Sequence, residues 1–161
     1  MTNAPCANEP VMPPAPRSFQ NPDDDFIREL LLRSKIIAVP GLSPSPYRPS
    51  HRVAFALQAY GYRIIPVRPG VVEILGEVAV SSLDLIDAAL DEGERVDIVD
   101  VFRAPQHADE IVTQCLRLRP RALWLQEGIV NPNAAVRARD AGIPTIMDRC
   151  ILKERARLVA T

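Results

Sequence analysis

A loop that could bind a phosphate group begins at Gly41. It reads G-L-S-P-S-P-Y-R-P-S as far as Ser50, so serine hydroxyls and Arg48 lie close together in the chain. Gly41 can adopt a positive φ, which lets a ligand approach the backbone closely. Amides at the start of a helix attract anions, and an arginine adds a charged donor. These residue types and their spacing predict a phosphate site, with Ser50 as the N-cap of the following helix.

Three further segments that could contact a ligand follow other predicted strands. Pro66–Pro69 is proline-rich and basic, Val101–Pro105 contains Arg103, and Gln126–Gly128 contains Glu127. In open α/β sheets, ligands bind beyond the carboxyl ends of the strands, near the point where the strand order reverses. Apart from Glu127, these segments offer backbone, proline and arginine groups. The pattern therefore favours binding of a nucleotide or phosphate over bond-making chemistry, and no catalytic residue is predicted.

Histidines and cysteines are too sparse to predict a metal site. His51 and His107 are both expected at helix starts, where a lone histidine is usually a surface or capping group. Cys6, Cys115 and Cys150 lie far apart in the chain and are odd in number. That distribution argues for a reducing compartment and against a disulfide scaffold.

The identity of the nucleotide stays open at this level. The G-x-G-x-x-G pattern of NAD sites is absent, and Arg68 stands where such a site carries an acidic residue for the ribose. A positive charge there suits a ribose with an extra phosphate, which NADP carries on the 2′ oxygen and coenzyme A on the 3′ oxygen. A solvated turn arginine explains Arg68 equally well.

The elements that would position these groups alternate between strands and helices, which indicates a mainly parallel sheet covered on both faces. Right-handed crossovers then favour an α/β, three-layer, doubly wound, Rossmann-like arrangement. Asn21 and Pro22 are predicted as the N-cap and first residue of the first helix. Further helices are expected to begin at Ser50, at Ser81 or Ser82, at Pro105 and at Asn131. The predicted strands are Lys35–Val39, Arg63–Val67, Val96–Val101, Arg121–Leu125 and Ile143–Met147, with Glu77–Val80 as a short edge strand.

The totals describe one globular domain with a tail. The chain has 161 residues, a hydrophobic content of 47% and a formal net charge of -1. Residues 1–20 form a proline-rich segment expected to be a flexible tail, and residues 21–161 the domain. The near-zero net charge and the lack of long apolar runs predict no nucleic-acid partner and no membrane association. We expect a cytoplasmic protein, for which a homo-oligomer is compatible with the sequence.

Five sequence blocks resemble a known family. The chain is similar to the small stand-alone CoA-binding-domain proteins, the YccU-like group, which are related to the CoA-binding domain of the succinyl-CoA synthetase α subunit. The blocks are V-x-G-L-S-x-x-x-x-R-P-S-x-x-V at Val39–Val53, Y-R-I-I-P-V-x-P at Tyr62–Pro69, V-D-I-V-D-V-F-R at Val96–Arg103, A-L-W-L-Q-E-G-I-V-N at Ala122–Asn131 and M-D-R-C at Met147–Cys150.

The resemblance implies a Rossmann-like CoA-binding fold and a role for each matching segment. Backbone amides of the first block would line the phosphates, and its loop and helix start would complete the cradle. The second block would bracket the adenosine end, the third would flank adenine or pantetheine, and the fourth would lie at the far strand end. In order, the implied residues are Gly41, Leu42 and Ser43; Arg48 and Ser50; Val67, Arg68 and Pro69; Phe102, Arg103 and Pro105; and Gln126, Glu127 and Gly128.

Two positions depart from the family pattern. Pro40 replaces the usual small or aliphatic residue and removes an amide next to the expected phosphates. Arg68 stands where these proteins commonly carry asparagine. The implied function is non-catalytic binding of coenzyme A or an acyl-CoA, a small-molecule nucleotide ligand. The alternatives are an NADP-dependent oxidoreductase or another nucleotide-binding enzyme, and a scaffold whose pocket holds no ligand.

Overall fold

The fold is described from a computed structural model, which describes residues 18–160. The predicted tail therefore lies almost wholly outside the described residues. The strands are β1 (Ile36–Pro40), β2 (Arg63–Val67), β3 (Glu73–Ile74), β4 (Glu77–Val78), β5 (Ile98–Val101), β6 (Ala122–Leu125) and β7 (Thr145–Ile146). The α-helices are α1 (Asp24–Arg33), α2 (Pro49–Ala59), α3 (Ala108–Leu118), α4 (Pro132–Asp140) and α5 (Ile151–Leu158), and 3₁₀ helices cover Leu83–Ala89 and Pro105–His107.

Five strands form one parallel sheet in the order β2-β1-β5-β6-β7. From β1 the chain first adds β2 on one side, then returns to add β5 on the other. The direction of winding therefore reverses at β1, and a crevice opens above the carboxyl ends of β1 and β5. This confirms the predicted doubly wound, mainly parallel α/β fold.

Helices cover both faces of the sheet because the strand side chains alternate between two cores. Ile36 and Ala38 of β1 pack in the core formed with α3, α4 and the first 3₁₀ helix. Ile37 and Val39 face the opposite core, which α1, α2 and α5 complete. All five residues of β1 are buried, as expected for a central strand of a three-layer fold.

The first helix begins two residues later than predicted. Asp23 is its N-cap, and its carboxylate accepts a hydrogen bond from the Phe26 amide at 2.9 Å. Asn21 instead pairs with the main chain of Met147, accepting from its amide at 2.7 Å and donating to its oxygen at 3.0 Å. The predicted cap at Asn21 is wrong because tertiary pairing beyond β7 engages its amide group.

The second helix also begins differently. Arg48 occupies the N-cap position without a side-chain hydrogen bond, and Pro49 is the first helical residue. Ser50 is buried inside the first turn, and its hydroxyl accepts from the amide of Ser43 at 3.0 Å. The predicted N-cap at Ser50 is therefore wrong, since its side chain ties the preceding loop to the helix rather than closing the helix end.

The segment between β2 and β5 differs most from the prediction. Instead of one edge strand, β3 and β4 form a short antiparallel hairpin. Val80 then forms a parallel bridge with Val67, and Ser82 caps a 3₁₀ helix by accepting from the amide of Asp84 at 3.2 Å.

Residues 18–160 contain no helix that is long and apolar enough to cross a membrane. The cytoplasmic location and the oligomeric state stay predictions.

Candidate functional site

The carboxyl ends of three strands converge at Gly41. The Gly41 amide donates to the oxygen of Val67 at 3.1 Å, and the Phe102 amide donates to the oxygen of Pro40 at 2.9 Å. Gly41 has a φ of +84°, and a Cβ at this position would lie 2.5 Å from the Phe102 oxygen. Only glycine fits here, because a side chain would both strain the backbone and collide with the β5 segment.

Two cavities open beyond these strand ends, and they share Gly41, Arg68 and Phe102. The first has a volume of about 600 Å³ and the second about 530 Å³. Both lie at the crevice where the strand order reverses. The first is lined also by Pro40, Val67, Pro69, Ser81, Ser82, Leu83, Arg103, Ala104, His107, Glu110, Ile111 and Gln114, and the second by Ser43, Pro44, Ser45, Arg48, Pro49 and Ser50.

The three amides expected to line a phosphate, those of Gly41, Leu42 and Ser43, already donate hydrogen bonds within the protein. The Gly41 amide bonds to Val67, the Leu42 amide donates to the Val39 oxygen at 3.3 Å, and the Ser43 amide donates to the Ser50 hydroxyl. The three amides close the turn and fix the start of α2. We correct the phosphate role expected of these amides, because the fold already satisfies their hydrogens. The arginine side chains that line the cavities are the charged donors at this site.

Arginine side chains give these cavities a positive character. Arg68 lies on their border and donates from Nη1 to the Leu42 oxygen at 3.3 Å. Arg48 lines the second cavity and Arg103 the first, and neither side chain has an ion-pair or hydrogen-bond partner within residues 18–160. Glu110 is the one carboxylate among the described lining residues. Three guanidinium groups against one carboxylate favour an anionic ligand.

Several predicted site residues line neither cavity. Leu42 is completely buried in the core, and the Pro105 oxygen accepts from the Asn131 side chain at 3.0 Å. In the predicted segment at the end of β6, the groups expected to contact a ligand are bound to other protein groups. The Gln126 side chain donates to Asp100, Glu127 forms an ion pair with Lys153 at 2.8 Å, and the Gly128 amide donates to the Asp148 carboxylate at 2.8 Å.

Other lining residues were missed by the sequence prediction. Ser81 and Ser82 are predicted only as helix caps, and the predicted site includes no residue beyond Pro105 in the helical segment that follows β5. Their position in the chain could have identified them. Each group of residues lies at or near the start of a helical segment that follows a strand, and such helix starts lie at the ligand-binding edge of a parallel sheet. The missed residues are Ser81, Ser82, Leu83, His107, Glu110, Ile111 and Gln114.

The thiol of Cys115 is an interior group. It lies on the apolar face of α3, and burial raises its pKa to about 12. The thiol therefore stays protonated near neutral pH and is a poor nucleophile. The described residues contain no group of three or more His, Cys, Asp or Glu side chains that could hold a metal ion.

Comparison with known proteins gives the family. Residues 35–156 match a protein family described as CoA binding domain. The matched range contains all of the residues that line the two cavities. The chain belongs to this CoA-binding domain family.

Relatives of this family member are similar over most of their length. An uncharacterised protein of Bacillus subtilis strain 168, YneT, is 44% identical over 133 residues, covering 83% of this chain and 94% of the relative. A solved Thermus thermophilus structure has a TM-score of 0.76 at 42% identity, covering 85% of this chain and 99% of that one. A hypothetical protein from Pyrococcus horikoshii OT3 has a TM-score of 0.76 at 33% identity, covering 86% and 93%. These likenesses confirm the resemblance predicted from the five blocks.

Proposed function

We infer that this protein binds coenzyme A in the cleft formed by the two cavities. The observation that carries the inference is that the two cavities meet, because Gly41, Arg68 and Phe102 line both of them. These residues follow the ends of β1, β2 and β5, where the strand order of the sheet reverses. Membership of the CoA-binding domain family supports coenzyme A over other nucleotides that such a crevice could accept.

The size and polarity of the cleft suit an elongated ligand with phosphates along part of its length. The two cavities measure about 600 and 530 Å³, within the range of about 300–1,000 Å³ common for small-molecule sites. The second cavity combines Arg48 with Ser43 and Ser45, so it suits phosphate oxygens. The first adds Ser82 and Gln114, whose side chains are joined by a 3.1 Å hydrogen bond and can exchange partners with amide groups of a pantetheine arm.

We extend the inference to binding without turnover. Arginines and hydroxyls of this kind hold and orient an anion, and they supply no activated nucleophile by themselves. An acyl-CoA shares every phosphate and amide group with the free coenzyme, so the same cleft accepts it. The types of the residues that line the cleft support binding without turnover.

Isothermal titration calorimetry of the full chain tests the function. We expect saturable binding of coenzyme A, competition by adenosine 3′,5′-bisphosphate, and weaker binding of NADP. Arg48→Ala should weaken binding, and Arg28→Ala, an exposed arginine on α1, is the matched control. Tighter binding of NADP than of coenzyme A would instead favour the oxidoreductase hypothesis. If neither coenzyme A nor NADP gave a heat of binding, the result would support the hypothesis of a scaffold whose pocket holds no ligand.

Native mass spectrometry of freshly purified protein is an independent check. A bound species with the mass of coenzyme A or an acyl-CoA supports the proposal and identifies the acyl group. A co-purifying nucleotide of another mass contradicts it.

A further inference from the structure

A buried carboxyl group lies near the carboxyl end of β5, two residues before Phe102, which lines both cavities. Asp100 has no exposed surface, and its Oδ1 accepts a hydrogen bond from Nε2 of Gln126, which is 3% exposed. Its second oxygen, Oδ2, has no hydrogen-bond partner among residues 18–160. A buried polar atom without a partner is costly, so its presence at this edge of the sheet calls for a role.

The position of Asp100 connects it to the cleft wall. It pairs with Trp124 in the β5–β6 register, and two residues later Phe102 and then Arg103 line the cavities. Side chains of β5 alternate, with Ile98 in the core formed with α1, α2 and α5 and Val99 in the opposite core. Asp100 therefore faces the side of α1, α2 and α5.

Burial raises the pKa of Asp100 to about 7, and the hydrogen bond from Gln126 acts in the opposite direction. Its strand neighbour Trp124 is uncharged, and no ionic group contributes to the shift. The charged or titratable groups on the elements that cover this face are Asp24, Asp25, Arg28, Glu29 and Arg33 on α1, His51 and Arg52 on α2, and Asp148, Arg149, Cys150, Lys153, Glu154, Arg155 and Arg157 on α5 or just before it.

We propose that Asp100 is a positioning residue for the cleft. As a neutral acid held by Gln126, it fixes the end of β5 so that Phe102 and Arg103 stand against Gly41, and its ionisation displaces that segment. The physical reason is that a carboxylate in an apolar interior without a cation must regain water or a donor. Two residues further along the chain, Phe102 lines both cavities, so a displacement of this segment changes the cleft wall.

The expected consequence for ligand binding rests on the proposed function. If coenzyme A binds only the form with neutral Asp100, its dissociation constant rises about tenfold for each pH unit above the pKa of this group. If it binds both forms to some extent, the rise is smaller and levels off. In either case affinity falls as pH increases through about 7.

The first experiment needs no ligand. Amide chemical shifts of Gly41, Phe102 and Arg103 are followed by NMR from about pH 6 to about pH 8 in the wild-type chain. We expect them to titrate together with one midpoint. Asp100→Asn, a permanently neutral isostere whose amide oxygen still accepts from Gln126, should abolish the titration, and Glu92→Gln, an exposed change, should leave it intact. Shifts that do not change with pH in the wild type overturn the proposal even if Asp100→Asn fails to fold.

The second experiment measures coenzyme A affinity across the same range. The wild type should lose affinity with rising pH, whereas Asp100→Asn should keep its low-pH affinity throughout. The phosphates of the ligand titrate identically with both proteins, so the difference between them isolates Asp100. An equal pH dependence in both overturns the inference but leaves the proposed function standing. No binding at any pH contradicts the proposed function, while the NMR titration still decides on Asp100.

Discussion

The Nη1 atom of Arg68 lies 3.3 Å from the main-chain oxygen of Leu42 and donates a hydrogen bond to it. This contact crosses from the turn after β2 to the turn after β1, at the border of the two cavities. It holds the guanidinium group at the middle of the cleft instead of leaving it in solvent. The remaining donors of Arg68 can still contact a ligand, since a guanidinium group has five N–H donors.

Arg68 therefore gives a direct test of phosphate recognition. If it contacts the 3′-phosphate, Arg68→Ala should weaken coenzyme A binding by about 1.5–3 kcal/mol, the usual value of a hydrogen bond to a charged group. Dephospho-coenzyme A, which lacks that phosphate, should bind the variant and the wild type almost equally. Calorimetry with both ligands, with Arg28→Ala as control, provides the measurement. Equal losses for both ligands would remove the 3′-phosphate assignment.

Gly41 should tolerate no side chain. Gly41→Ala places a Cβ 2.5 Å from the Phe102 oxygen at a φ of +84°, whereas Gly128→Ala has nearly the same φ, +85°, with no heavy atom within 4 Å. Both variants pay the strain of a left-handed conformation, about 1–2 kcal/mol. We expect Gly41→Ala to lose a further 1–3 kcal/mol, roughly, from overpacking. Urea unfolding measures the difference, and equal losses would show that the β1 turn moves freely away from β5.

Asp97 should be a major determinant of stability at the amino end of the sheet. Its carboxylate accepts from the amides of Lys35 at 2.7 Å and Ile36 at 3.0 Å, and from Arg121 Nε at 2.9 Å. Asp97→Ala leaves two amides without an acceptor, which should cost about 2–4 kcal/mol in the free energy of unfolding. Arg121→Ala keeps both amide bonds and should cost about 1 kcal/mol or less. Similar losses in chemical denaturation would mean that the ion pair matters more than the amides.

The contribution of Asp100 to the free energy of unfolding should decrease between about pH 4 and pH 7. Its folded pKa of about 7 lies above its ordinary value of 3.8, so in this range the folded state keeps a proton that the unfolded state has lost. The difference corresponds to at most about 4 kcal/mol. Asp100→Asn should flatten the pH profile measured by urea unfolding. Identical slopes for the wild type and Asp100→Asn would show that Asp100 ionises freely in the folded protein.

Local patterns in the sequence predicted most of the fold. Short apolar runs, most of them rich in β-branched residues, indicated the five strands of the main sheet, and helical spacing indicated the helices between them. Gly41 was predicted correctly as a point of close approach, since it alone among the loop residues tolerates a positive φ without strain. Caps were predicted less well, because Asn21 and Ser50 have side chains that can serve several amides. Only tertiary pairing decides which amide they meet.

The candidate site was predicted in part. The arginines and Gly41 were found because strand ends in a parallel sheet converge on one edge. Gln126, Glu127 and Gly128 were assigned to the ligand by the same rule, yet all three contact other protein groups. The reason is that β6 lies beyond β5, away from the reversal of strand order, and its turn packs on residues 148–153.

The sequence by itself determined the order of strands and helices, their parallel pairing and the family to which the chain belongs, because those properties depend on side-chain periodicity and short motifs. The tertiary structure alone decided which hydrogens of the loop after β1 are already satisfied and which helix starts face the cleft. It alone also shows that one carboxyl oxygen of Asp100 is buried with no hydrogen-bond partner in the described part of the chain, residues 18–160. These properties depend on distances between residues far apart in the chain, and local pattern carries no information about such distances.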